Sequence, residues 1–299
     1  MNVLLTGATG TIGRRLVARF PGARVLSRSP ERATVALGGV RALPWDGRSV
    51  VAPGTLDGVD AVVHLAGEPV AEGRWTPAKK QSIRDSRILG TRALVGSLRA
   101  SGTRPRVLVC ASAVGFYGDR GDEVLDEASP AGSGFLSEVC AAWEAEASAA
   151  SALGLRVVSL RIGLVLDREG GALATMLTPF RLGLGGPMGG GRQWLPWIHV
   201  EDVVGLVLHA LEHDVSGAMN AVGPEPVRQV DFARALGRSL GVPAFLKAPR
   251  FALRAAFGEM ADVLLASQRA LPAKAMASGY TFQHPALAGA LEDILSPGA

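Results

Sequence analysis

The first sixteen residues, MNVLLTGATGTIGRRL, decide the fold. Residues 2–7, NVLLTG, form a short apolar run stopped by glycine, and residues 11–20, TIGRRLVARF, carry apolar side chains at helical spacing. Between them GATGTIG places Gly7, Gly10 and Gly13 on a turn from strand to helix. One glycine permits the tight turn, one lets backbone approach a pyrophosphate, and one lets the helix pack on the strand. The helix N-terminus then turns unpaired N–H groups toward an anion. This reading predicts a dinucleotide site with Gly7, Thr9, Gly10, Thr11, Ile12 and Gly13 among its contacts.

Strand and helix signals continue to alternate. ARVLSR (23–28), VDAVVHLAG (59–67), PRVLVCAS (105–112) and LRVVSLRIG (155–163) repeat the strand signal. Residues 76–101 form a long amphipathic helix opening on Thr76-Pro77, a cap and first-turn pair. Residues 134–153, GFLSEVCAAWEAEASAASAL, add another helix. The alternation predicts an α/β fold with a Rossmann-type doubly wound parallel sheet covered on both faces. The pattern changes after Gly163, where helices and a glycine-rich loop, GLGGPMGGGRQWLPW (183–197), follow. Residues 245–299 read as mostly helical, with FALRAAFGEMADVLLASQR as their core. The expected layout is a dinucleotide-binding domain of residues 1–163 plus about 200–222. A smaller, mostly helical, discontinuous lobe of about 164–199 and 223–299 faces the substrate. The cleft between them lies at the carboxyl ends of the strands.

With 299 residues, 48% hydrophobic and 19% charged, the chain has ample apolar surface for a core. It lacks an apolar run long enough to span a bilayer. MNVLLTGATG has no basic region followed by a cleavable apolar segment, so the expected location is cytoplasmic. Cys110 and Cys140 show no metal-ligand or redox spacing, and no metal is expected. A formal charge of +4, with basic residues scattered through helices, speaks against nucleic acid as a partner. The expected partner is a small-molecule substrate, not a membrane, for a monomer or homodimer.

The second strand ends in Ser27-Arg28-Ser29. An NAD site normally puts a carboxylate here for the ribose hydroxyls, which would repel a 2′-phosphate. Arg28 can instead pair with that phosphate, helped by Ser27 or Ser29, so NADP(H) is the expected cofactor. Asp46, after the third strand, is placed to reach an adenine amino group.

GATGTIG, HLAG (64–67), the strand end at Ser112 and WIHVEDVV (197–204) together resemble the extended short-chain dehydrogenase/reductase superfamily. GEPVAEGRWTPAKKQSIRDSRILGTR, SAVGFYGDRGDEVLDE, GFLSEVCAAWEAEA, PFRLGLGGPMGGGRQWLPWIHVED and FGEMADVLLASQR more narrowly resemble the YfcH-like group. These are "epimerase family" proteins of the NAD-dependent epimerase/dehydratase kind, with a C-terminal domain of unknown function. The resemblance implies an oxidoreductase or epimerase acting on a small carbonyl or sugar-nucleotide-like substrate. It makes Leu65, Ala66, Gly67 and Gly163 further cofactor contacts. It also implies a Ser or Thr ending the fifth strand, a Tyr-xxx-Lys helix and an Asn on the preceding helix.

Ser112 fits the first of these roles, polarising a substrate oxygen. Aligning SGFLSEVCAAWEAEA (133–147) on its Trp-Glu puts Leu136 in the Tyr place and Cys140 in the Lys place, while Arg87 stands where the Asn would be. The two tyrosines, Tyr117 and Tyr280, are followed four residues later by Gly121 and His284, so the chain contains no Tyr-xxx-Lys. Tyr117, on the loop leaving the Ser112 strand, either enters the cleft as a proton donor or packs under the loop. Glu68, directly after HLAG, can serve as acid, base or ribose ligand. Arg87 either places an anionic group or pairs with Asp85 or a neighbouring acid. The alternative from another class is a non-catalytic NADP(H)-binding regulatory or scaffold protein, related to cell division.

Overall fold

The protein is described by a computed structural model that covers residues 1–102 and 104–296. The first part of the chain is a regular alternation: β1 (Val3–Thr6), α1 (Thr11–Arg19), β2 (Arg24–Ser27), α2 (Pro30–Ala36), β3 (Ala42–Pro44) and β4 (Ala61–His64). Then come α3 (Pro77–Ala100), β5 (Val107–Ala113), the short β6 (Val124–Leu125), α4 (Phe135–Ser148), β7 (Arg156–Ile162) and β8 (Leu164–Leu166). The remainder is α5 (Gly171–Arg181), β9 (Trp194–Leu195), β10 (Trp197–His199), α6 (Val200–Glu212), β11 (Gly217–Ala221), β12 (Val227–Arg228) and α7 (Gln229–Leu240). It ends with α8 (Arg250–Phe257), α9 (Ala261–Leu265), β13 (Arg269–Ala270), α10 (Ala273–Ala277) and α11 (Leu287–Leu295).

Seven strands form one sheet in the order β11-β7-β5-β4-β1-β2-β3, every neighbouring pair parallel. The chain runs outward from β1 through β2 to β3, then returns to β4 on the other side. Loops at the carboxyl ends of β1 and β4 therefore diverge, and a crevice opens there. β1 and β4 are buried along their full length, as a parallel strand covered on both faces must be. Alternate side chains serve opposite faces. Val3 and Leu5 join Leu16, Val203 and Leu206 on one, while Leu4 joins Leu94, Leu98 and Trp143 on the other. Each fully buried Leu contributes about 2 kcal/mol. Thr76 caps α3 by accepting from the Lys79 N–H at 3.2 Å, with Pro77 in its first turn.

A further core gathers Leu173, Leu177 and Phe180 of α5, Phe232 and Leu236 of α7, and Leu287 and Leu291 of α11 around Trp197. The segment expected as one helical core after residue 250 is broken. Gly258, at φ +63, turns the chain after α8, and Pro272 stands immediately before α10. Asp202, fully buried in the first turn of α6, clasps this C-terminal part. Its carboxylate accepts from Gln283 N at 2.7 Å, His284 N at 3.0 Å and the Tyr280 hydroxyl at 3.1 Å.

His64 closes β4 beneath the crevice, fully buried, with Nδ1 2.6 Å from the Thr6 hydroxyl and Nε2 3.0 Å from that of Thr91. Burial pulls its pKa down to about 4, against 6.5 for an ordinary histidine. Between these values the unfolded chain binds a proton that the folded chain refuses. The stability His64 contributes is whole above pH 6.5 and drains as the pH falls toward 4. Urea unfolding at pH 7.5 and pH 5 should show a loss of about 2 kcal/mol from this group. His64→Gln should be less stable at pH 7.5 yet lose correspondingly less on acidification; an unchanged pH dependence would remove His64 as the source.

Candidate functional site

The glycine turn forms the floor of the crevice. Gly7 has φ +69, and a Cβ there would lie 2.6 Å from the Leu65 carbonyl carbon. A Cβ at Gly13 would lie 2.4 Å from the Gly7 oxygen, so these two positions exclude any side chain. Gly10 differs: a Cβ there would meet only the Gly7 oxygen, at 3.4 Å. The fold tolerates a side chain at Gly10, and its absence leaves open space before the N-terminus of α1. No side chain caps that helix, so its first-turn N–H groups remain available to an anion.

Above the turn lies a cavity of about 570 Å³. Gly7, Thr9, Gly10, Ser27, Arg28, Ser29, Asp46, Leu65, Ala66, Gly67 and Glu68 line it. Thr11, Ile12 and Gly13 belong to α1 just behind the lining. Gly163 lies elsewhere, where β7 and β8 part; a Cβ there would come within 2.2 Å of the Pro196 oxygen. Its need for glycine is thus explained by packing. The cavity also brings in Arg32, Arg48, Ser82 and Ser86, which the sequence reading missed. A clue lay in the spacing, since Arg48 follows Asp46 by two residues on the same loop.

Asp46 has a job beyond the expected one. Its carboxylate accepts from the N–H groups of Arg48 and Ser49, both at 2.8 Å, and from the Ser49 hydroxyl at 2.7 Å. The backbone N–H of Ser49, then that of Arg48, holds its pKa down at about 2. The side chain folds its own loop and so fixes where Arg48 starts.

At the other end of the lining, Glu68 Oε1 accepts from Lys79 Nζ at 2.6 Å, both side chains mostly covered. The Glu68 N–H donates to the Ser86 hydroxyl at 3.0 Å. Arg87 does not pair with Asp85. Its Nη1 donates to the carbonyls of Glu68 at 2.9 Å and Ile83 at 3.2 Å, and the guanidinium lies between the Trp143 ring and Gly67. Burial lowers its pKa, opposed by neighbouring Cys140 and Glu68.

Ser112 and Tyr117 are placed differently from the catalytic expectation. The Ser112 hydroxyl donates to Glu144 Oε1 at 2.6 Å, and its residue is buried. Glu144 grips Arg161 in a two-point pair, Nε to Oε1 and Nη2 to Oε2, each at 2.9 Å. Arg161 Nη1 reaches the Tyr117 hydroxyl at 3.0 Å, and that hydroxyl donates to Asn220 Oδ1 at 2.7 Å. Tyr117 is 0% exposed, among Val114, Leu125, Val222 and Ala270. Its ring does pack under the loop, but its hydroxyl is held inside the protein rather than entering the cleft. Burial raises its pKa, making the phenol a weaker proton donor. In α4, Leu136 and Cys140 occupy the positions that lack Tyr and Lys, and burial pushes the Cys140 thiol up to about 11. The functional side chain of this helix is Glu144, one turn beyond Cys140.

Among the described residues, His199, His284 and Asp293 bring three potential metal-ligand atoms within 4.8 Å. Protonation argues against a metal there. His199 Nδ1 accepts from the Glu201 N–H at 3.1 Å, so the ring's proton sits on Nε2, which lies 3.2 Å from Asp293 Oδ2 without hydrogen-bond alignment. His199 is the cap of α6.

Residues 3–222 match the NAD dependent epimerase/dehydratase family, and residues 248–294 match a domain of unknown function, DUF1731. The chain belongs to the NAD dependent epimerase/dehydratase family. An Arabidopsis thaliana relative named epimerase family protein SDR39U1 homolog, chloroplastic, is 42% identical over 308 residues, 99% of this chain and 87% of its own. Epimerase family protein YfhF of Bacillus subtilis is 36% identical over 300 residues, covering 99% and 98%. The crystal structure of human epimerase family protein SDR39U1 (isoform 2) with NADPH superposes with a TM-score of 0.88 at 34% identity, over 99% of each chain. The resemblance to NAD-dependent epimerase/dehydratase proteins with a C-terminal domain of unknown function, and the Rossmann-type parallel sheet, are both met. A relative named as chloroplastic leaves the compartment of this protein open.

The Glu144–Arg161 pair should carry stability. Glu144→Ala leaves a buried guanidinium without its carboxylate and should cost about 3–5 kcal/mol in denaturant unfolding. Tyr117→Phe, which loses only a hydroxyl, should cost about 1–3 kcal/mol. A Glu144→Ala protein as stable as wild type would show that the pair is not what holds β7 to α4.

Proposed function

We propose that this protein binds NADP(H) along the glycine turn and acts as an oxidoreductase or epimerase on a small carbonyl or sugar-nucleotide-like substrate. The observation that carries the cofactor assignment is the rim of Arg28, Arg32 and Arg48 on one cavity, with Ser27 and Ser29 beside them. The one carboxylate at that end, Asp46, makes its hydrogen bonds within its own loop. Guanidinium groups and hydroxyls suit a 2′-phosphate, and a free carboxylate would oppose it. Gly7, Gly10 and the first turn of α1 suit a pyrophosphate, for which the open face at Gly10 leaves room. That human SDR39U1 was crystallised with NADPH supports the same reading. When bound, the cofactor supplies or accepts a hydride.

The chain's own contribution to the chemistry is proton handling. Glu68 in the cavity wall, joined to Lys79 at 2.6 Å, offers a polar couple that Ser112 and Tyr117, engaged elsewhere, do not. The Glu68 carboxylate takes a proton from a substrate hydroxyl, and the ion pair with Lys79 fixes where that carboxylate points. Arg87 positions Glu68 by holding its backbone carbonyl. Residues 1–163 with 200–222 carry the cofactor in this reading, and the rest of the chain covers the substrate.

A second reading has its own observation. The two hydroxyls expected to do chemistry, those of Ser112 and Tyr117, are tied into a buried network, which favours a protein that binds NADP(H) for regulation or scaffolding. The test combines cofactor titration with turnover on a broad carbonyl panel. Arg28→Asp should weaken NADPH much more than NADH, and equal loss for both sinks the 2′-phosphate assignment. Glu68→Gln should lower turnover about 10²–10⁴-fold. Tight NADPH binding with no oxidation by any member of the panel favours the second reading.

A further inference from the structure

The lobe beyond the crevice carries an apolar surface that the proposed chemistry does not use. Leu182 and Leu184, just after α5, are 69% and 62% exposed; Phe245, Leu246 and Phe251 are 70%, 44% and 77% exposed. They belong to one face, because the two segments run side by side. A Cβ at Gly186 would lie 2.3 Å from the Leu246 oxygen, Met188 and Ala248 form a parallel bridge, and the Gly189 N–H donates to the Ala248 carbonyl at 2.8 Å. Leu253 turns inward from α8 onto Ala261 and Leu265, which leaves Phe251 on the outside.

The charges carried by the two segments themselves have one sign, and the first acids following the second, Glu259 and Asp262, are paired with Lys80 and Arg254. Residues 170–200 and 232–258 contain no Asp or Glu. Arg181, Lys247 and Arg250 are exposed among the apolar side chains and make no hydrogen bond or ion pair among the described residues. Arg254, by contrast, is neutralised by Asp262 at 2.9 Å. A solvated surface gains nothing from five large apolar groups, and none of the three cations is paired with an acid among the described residues. Aromatic and aliphatic side chains among unpaired Lys and Arg fit the boundary of an anionic bilayer, where rings enter the headgroup region and cations meet lipid phosphates.

We propose that the face formed by residues 181–184 and 245–251 docks reversibly on anionic phospholipid membranes. This is peripheral contact, distinct from spanning, for which no helix among the described residues is long and apolar enough. It stands independently of the cofactor assignment.

Flotation with vesicles tests it, using phosphatidylcholine alone and an equal mixture with phosphatidylglycerol, at low and high salt. Wild type should float with the mixed vesicles at low salt, float little with phosphatidylcholine, and release as salt rises. Lys247→Gln/Arg250→Gln should bind about fivefold more weakly for each cation neutralised. Phe245→Ser/Phe251→Ser should lose at least about tenfold through the missing apolar insertion. Both pairs should keep the wild-type melting temperature and NADPH affinity, which separates lost docking from lost folding. The proposal fails if wild type ignores phosphatidylglycerol, or if the Phe pair binds as well as wild type. It also fails if sedimentation shows a dimer that the Phe pair disperses without lipid, because the face then belongs to a second copy.

Discussion

A single backbone crossing governs the architecture. The carbonyl of Gly7 lies where a side chain at position 13 would begin, and Gly7 itself presses on the carbonyl of Leu65. Strand, helix and the following βα loop approach to a distance that only glycine allows. That approach sets the seat of α1 on the sheet and the width of the crevice between the ends of β1 and β4. The cavity wall, including Leu65, Ala66 and Gly67, inherits its position from it. A looser turn would move the helix N-terminus away from any phosphate.

The second organising element is the chain of contacts from Ser112 through Glu144, Arg161 and Tyr117 to Asn220. It joins β5, α4, β7 and β11 with charge-assisted hydrogen bonds rather than apolar packing. Arg161 also stacks on Phe116, 3.5 Å from the ring centre. A buried ion pair of this kind is held by its geometry: every lone pair and proton has to be used, or desolvation wins. The helix with Leu136 and Cys140 where Tyr and Lys were expected thus does different work. It supplies Glu144, which orders the strand ends.

Local signals made the fold readable. GATGTIG, the Thr76-Pro77 cap and the apolar runs at 59–67 and 105–112 specify short-range geometry, and the observed strands and helices follow them. The glycine turn, Arg28 and Glu68 were legible for the same reason, because each stands next to a strand end. What depended on contacts distant in sequence was hidden. Glu144 is 32 residues from Ser112, and Tyr117 is 103 residues from Asn220, so no pattern along the chain shows that they share hydrogen bonds. Arg32 from α2 and Arg48 from the loop after β3 reach the same cavity, and the apolar face near Phe245 exists only because two separate segments lie together.

The clasp at Asp202 bears on modularity. The two family matches divide the chain, leaving residues 248–294 as a separate block. Yet a carboxylate in the first turn of α6, with no exposure of its own, is satisfied by the backbone of Gln283 and His284 and by the hydroxyl of Tyr280. Without those partners it is a buried charge with too few donors. The boundary between the two family matches is therefore crossed by contacts that a buried side chain on one side needs from the other. Cutting the chain between the blocks would strip that carboxylate of three donors at once and leave it buried.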